Sequence, residues 1–98
     1  MIKYLYIHYN KKGSFYGDPY ADLIEPNIKV EQLKQSISVC SVDALKSVSE
    51  DDLYLLGTID NVTAQVNVFD KPQFVLDLSS LVHQTLKQGE VKQDEQAV

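Results

Sequence analysis

Arginine is missing from this chain. All nine of its cations are lysine, set against fourteen Asp and Glu, for a formal charge of −5. A protein that reads duplex DNA normally carries a basic face and Arg for base edges, so the composition argues against that class. Cysteine is nearly missing too: Cys40 stands alone, which excludes an internal disulfide framework and a multi-cysteine zinc site. On an apolar helix stripe it reads as a small buried hydrophobe. No apolar run approaches the ~20 residues that cross a bilayer. The opening residues, MIKYLYIHYNKKG, alternate polar and apolar rather than forming the h-region of a signal peptide. The expectation is a protein that touches no membrane, is not secreted and stays in the cytoplasm of the cell that makes it. Its 98 residues suffice for one domain with a modest core.

The segment Ile2 to Tyr9, rich in Tyr, Ile and Leu and broken at Asn10–Gly13, reads as a strand. Asn10 to Pro26, punctuated by Gly13, Gly17, Pro19 and Pro26, reads as an ordered loop. A helix should follow with Asn27 as N-cap, its stripe being Val30, Leu33, Ile37 and Cys40 at spacings of 3, 4 and 3. Its end should fray around Ser38 to Val42, and Ser41 to Ser49 reads as either a short helical turn or a loop. Leu53 to Ile59 and Gln65 to Phe69 read as antiparallel neighbours joined by a turn over Asp60 to Ala64, with Val66 and Val68 facing inward. After Pro72, Asp77 is a natural N-cap for a last helix with the stripe Leu78, Leu81, Val82, Thr85 and Leu86, closed by Gly89. The pattern predicts an α+β fold in the order β-α-β-β-α: a three-stranded antiparallel sheet with one or two helices on one face, over residues 1–88. Residues 89–98 read as a disordered acidic tail.

Few residues suggest chemistry. His8 and His83 have no nucleophile in a glycine-flanked elbow. The run Glu50-Asp51-Asp52 lacks companion carboxylates at calcium-loop spacing and reads as a solvated approach to a strand. Gly13 to Gly17 precedes no Lys-Ser/Thr and opens no helix, so it is not a P-loop. No catalytic residue, metal or cofactor is therefore expected. The aromatic distribution is distinctive, because six of the nine Phe and Tyr fall in the first twenty residues, interleaved with Lys3, Lys11 and Lys12. If helices cover a face made of Leu5, Ile7, Leu53, Leu55, Val66 and Val68, the open face presents Tyr4, Tyr6, His8, Tyr54, Gln65 and Asn67. Rings beside lysines on an open sheet are how single strands of nucleic acid are held without sequence reading. The same tyrosines also suit plain cross-strand packing, a dimer seam or a protein contact.

The segment Glu50-Asp51-Asp52-Leu53-Tyr54-Leu55-Leu56-Gly57-Thr58-Ile59-Asp60, with Thr63-Ala64-Gln65-Val66 and Pro72, resembles the small non-structural protein of gokushovirus-like microviruses, which are single-stranded DNA phages. The front half is similar as well: a tyrosine-rich strand, then Asn10-Lys11-Lys12-Gly13-Ser14-Phe15 and Pro19-Tyr20, then a helix. The likeness runs over roughly residues 3–82. Ala64 stands where that family usually carries Gly, the acidic lead-in lacks the usual Pro and Phe, and the first helix lacks a common Arg. The resemblance implies a non-enzymatic protein associating with single-stranded DNA during genome synthesis or packaging, with Lys3, Tyr4, Tyr6, His8, Lys11, Lys12 and Tyr54 as contact residues. The alternative is an acidic protein-interaction module, such as an assembly factor, an inhibitor of a host protein or a homodimer.

Overall fold

The computed structural model describes residues 1–86. The first strand, β1 (Ile2–Asn10), ends at a turn where the Asn10 side chain accepts from the Gly13 N–H at 2.6 Å. The segment expected to be a loop folds back on β1 as two short strands. β2 (Phe15–Tyr16) pairs with Tyr9 and Asn10, and β3 (Tyr20–Asp22) pairs with Tyr4 to Tyr6. β4 (Asp51–Asp60) lies along the other side of β1, and β5 (Val66–Asp77) forms the outer edge beyond it. The sheet is therefore five-stranded and antiparallel, in the order β2-β1-β4-β5 with β3 also on β1. This corrects the expected three-stranded sheet. Aromatic residues let the glycine- and proline-punctuated segment satisfy its backbone along the free edge of β1 rather than in water.

The helices also depart from expectation in detail. α1 (Pro26–Ile37) starts two residues earlier than an Asn27 cap would place it: Glu25 is the N-cap and Pro26 takes the first turn, where its missing N–H costs nothing, so Asn27 caps nothing. The helix stops at Ile37, which leaves Cys40 exposed rather than on a buried stripe. The ambiguous stretch after it forms α2 (Val42–Ser47), whose N-cap Ser41 accepts from the Ala44 N–H at 3.2 Å. Residues 78–86 form α3. Asp77 caps it, as its sequence position suggests, by accepting from the Ser80 N–H at 3.1 Å and the Ser80 hydroxyl at 2.8 Å. Leu78 and Val82 of the expected stripe are fully buried. Gly89 and the acidic tail lie outside the described residues.

Register decides which face the helices cover. Tyr6 stands opposite Leu55 and His8 opposite Leu53, so from Tyr6 to Asn10 the even residues of β1 share a face with the odd residues Asp51 to Leu55 of β4. That face forms the core: Tyr6, Leu53, Leu55 and Leu78 are buried together, with Tyr4, Leu33 and Val48 packed against them. A second cluster of Ile37, Leu45 and Val82 joins the three helices. The expected grouping of Leu5 and Ile7 with Leu53 and Leu55 is thus overturned. Val66 and Val68, expected inside, are 48% and 67% exposed on the edge strand. β5 also extends well past Phe69 and carries Pro72 within it, which an edge strand tolerates.

At the β4–β5 turn the Ala64 N–H donates to the Asp60 carbonyl at 2.7 Å, with Ala64 at φ 61°, in the left-handed region. A methyl side chain is strained there and glycine is not. Ala64→Gly is expected to raise stability by about 0.5–1 kcal/mol, less the extra freedom glycine gives the unfolded chain. The urea midpoint should rise with an unchanged slope; a fall in the midpoint would refute the strain argument.

Candidate nucleic-acid interface

Tyr4, Tyr6, His8 and Tyr54, expected together on the open face, do not share one. Tyr6 has no exposed surface; its hydroxyl donates to the Ile24 carbonyl at 2.6 Å, tying the chain before α1 to the sheet. The Lys29 ammonium lies 5.2 Å from the Tyr6 ring centre and 5.3 Å from that of Tyr20, and pairs with Asp22 at 2.7 Å. Tyr4 is half-buried against the core. His8 is held through Nδ1 by Asp51 at 3.1 Å, and Asn10 donates to the same carboxylate at 3.1 Å. Tyr4, Tyr6 and His8 therefore belong to the helix-covered face, and Tyr6 is withdrawn as a contact residue. Lys3 is half-buried and Lys12 exposed.

Tyr54 lies on the other face, at the centre of a ring cluster drawn from four strands. Its ring centre is 6.4 Å from Tyr9, 6.2 Å from Tyr16 and 5.8 Å from Phe74, all edge-on, while Tyr9 and Tyr16 are 4.8 Å apart. Edge-on packing of this kind stabilises a ring cluster beyond simple burial. Register produces it: Ile7 stands opposite Tyr54, Tyr9 opposite Tyr16, and Tyr54 opposite Phe74. Tyr16 is 49% and Phe74 58% exposed, so the cluster offers ring surface to solvent. Reading the residues alone missed Tyr9, Tyr16 and Phe74. The available signal was parity, since Tyr9 lies an odd number of residues from Tyr6 and so must face away from it.

One end of this face is polar. The Lys11 ammonium bridges Asp52 at 3.3 Å, Asp77 at 3.2 Å and the Ser79 hydroxyl at 2.7 Å. Partial desolvation works to lower the Lys11 pKa, but the hydrogen bonds and charges of Asp77 and Asp52 outweigh it and hold it above the ordinary lysine value. Hydrogen bonds from Ser79, then from Ser80 and Lys11, hold the Asp77 carboxyl well below the usual carboxylate range against the opposing effect of burial. Lys11 is thus engaged by carboxylates rather than standing ready for a phosphate.

No protein-family profile, curated protein or solved structure matches this chain. Among the described residues, no group of three or more His, Cys, Asp or Glu converges as a metal site would require. No helix among them is long and apolar enough to cross a membrane.

Proposed function

We propose that this domain is a non-enzymatic binder of single-stranded nucleic acid, serving genome synthesis or packaging of a single-stranded DNA phage in the cytoplasm of its bacterial host. The observation that carries this reading is the helix-free cluster of Tyr9, Tyr16, Tyr54 and Phe74, which gives bases ring faces and edges to stack against. The resemblance to the microvirus protein supports the same role. Lys12 lies on the exposed turn that follows β1 and supplies a cation for the backbone. With Lys11 bound to carboxylates, stacking rather than charge supplies most of the affinity.

Titration of labelled oligo-dT at low salt tests this. Each base–ring stack contributes ~1–3 kcal/mol, so Tyr54→Ala with Phe74→Ala is expected to weaken binding by at least tenfold while Tyr4→Ala changes it little. The salt dependence should be shallow, since few phosphates are neutralised. Absence of binding, or binding indifferent to the Tyr54/Phe74 pair, would rule the reading out.

A second reading, an acidic protein-interaction module engaging a phage or host protein or a second copy of itself, is favoured by the outer strand. Among the described residues β5 pairs only with β4, leaving Val66, Val68 and Phe74 exposed on the edge strand of a chain of net charge −5. A stoichiometric protein complex that forms without any oligonucleotide binding and is lost in Val66→Lys with Val68→Lys would select it.

A further inference from the structure

The hydrogen-bonding pattern of the outer strand specifies what pairs with it. At the turn before β5 the Asp60 N–H donates to the Gln65 carbonyl at 2.9 Å, and the Ala64 N–H donates to the Asp60 carbonyl at 2.7 Å. The partners then run Ile59–Val66, Thr58–Asn67 and Gly57–Val68. Hydrogen-bonded and non-hydrogen-bonded pairs alternate along an antiparallel ladder. Asn67 therefore turns its backbone groups toward β4, while Val66 and Val68 turn theirs outward. Among the described residues no strand lies beyond them. Resting on the protein-interaction reading above, we propose that this edge is the seam of a symmetric dimer. In it Val66-Asn67-Val68 pairs antiparallel with the same segment of a second copy, centred on Asn67.

Three features make the segment complementary to itself. The first is the backbone. On both sides of the axis Val66 of one copy stands opposite Val68 of the other. These are the residues with outward groups, so each pair exchanges two N–H···O=C bonds and satisfies the edge over this segment. The second is Asn67, which is exposed and meets its own counterpart at the axis. It occupies the non-hydrogen-bonded position, where side chains approach closest, and a carboxamide both donates and accepts, so the two bond reciprocally. The third is charge. Asp70 falls opposite Ala64 and Lys71 opposite Thr63, so the seam sets no acid against an acid although each chain carries −5. Val66 and Val68, 48% and 67% exposed, lose water against each other. Gly57 stands opposite both Leu5 and Val68, which puts these valines on the helix-free face. The two-fold axis of such a strand pair is normal to the sheet, so the helix-free faces of both copies form one surface.

Sedimentation of the full chain from the micromolar to the millimolar range should show a monomer–dimer equilibrium. Added salt should tighten it by screening the like net charges of the two copies. Exchange of the Val66 and Val68 amide protons should slow as concentration rises, far more than that of Asn67. Asn67→Asp and Asn67→Lys each set like charges at the axis, so each alone should weaken dimerisation at least ~10-fold in a folded chain. Mixing the two should restore the dimer, because opposite charges then meet, a result that no foreign partner produces. Val66→Pro removes only an outward N–H, which an edge strand tolerates, and should give a folded monomer should the charged variants unfold. A dimer indifferent to these folded variants, or a mixture no tighter than either variant alone, would overturn the proposal. A chain that stays monomeric yet holds a foreign protein, losing it in Val66→Lys with Val68→Lys, would overturn the dimer and leave the interaction reading intact.

Discussion

Gly57→Ala should destabilise this domain by more than about 3 kcal/mol, an effect larger than most core substitutions. A Cβ on Gly57 would overlap the Asn67 carbonyl oxygen and come within 2.9 Å of the Asn67 carbonyl carbon and the Val68 Cα. All three are backbone atoms of the paired strand, so no rotamer change relieves the clash and β5 itself must move. The position has no slack because register shifts on both sides of β4 meet here. Opposite β1 the partners jump from Leu5–Gly57 to Tyr6–Leu55, and opposite β5 from Leu55–Gln73 to Gly57–Val68. Such irregularities bend a strand and raise its twist, which here draws the two backbones together over a residue without a side chain. Equilibrium urea unfolding measures the effect, and a loss below about 1 kcal/mol would mean that β5 yields easily and that the close approach is not structural.

Tyr6→Ala should cost about 3–5 kcal/mol, as expected for a large ring removed from a packed interior. Tyr6 is among the largest fully buried side chains, and Leu53, Leu55 and Leu78 close around it. Tyr6→Phe isolates the hydroxyl: it leaves the packing and the Lys29 contact but orphans the Ile24 carbonyl, for about 1–3 kcal/mol. Burial first, then the charge of Asp22, pushes the Tyr6 phenol well above the ordinary tyrosine value. A pKa raised on folding means that the stability it contributes is fully present below about pH 10, the unfolded value, and is lost as pH rises beyond it. Phenolate absorbance should therefore show one tyrosine that titrates only on unfolding. Should Tyr6→Ala unfold at the wild-type urea midpoint, this ring would not be the keystone of the core.

These two residues also mark how far the sequence could be read. β1, β4, the first part of β5, a helix near Pro26 and a last helix capped at Asp77 follow from periodicity and capping chemistry, which act over a few residues and leave local traces, whereas the run of β5 past Phe69 through Pro72 does not. The two short strands left no such trace. Phe15-Tyr16 and Tyr20-Ala21-Asp22 are too brief to show alternation, and they are strands because β1 offers them an edge. The candidate site was legible only in part. That aromatics cluster near the N-terminus is plain from composition, but which of them share a face is not. β1 is apolar and aromatic on both faces, so alternation could not say whether Tyr4 and Tyr6 or Leu5, Ile7 and Tyr9 would turn toward the helices. Tyr54 was identified and given the wrong companions; Tyr9, Tyr16 and Phe74 are its neighbours.

By itself, the sequence determined the positions of β1, β4, the start of β5 and the two long helices, that the chain is acidic without arginine, and that its aromatics crowd the first twenty residues. Those properties reside in single residues and short-range spacing. Tertiary structure decided the face. A one-residue slip between β1 and β4 would exchange the buried set for the exposed one. The slip is settled by long-range contacts: the Tyr6 hydroxyl on Ile24, Asp51 on His8, and the close approach at Gly57. The open ring cluster around Tyr54 is the consequence of that register.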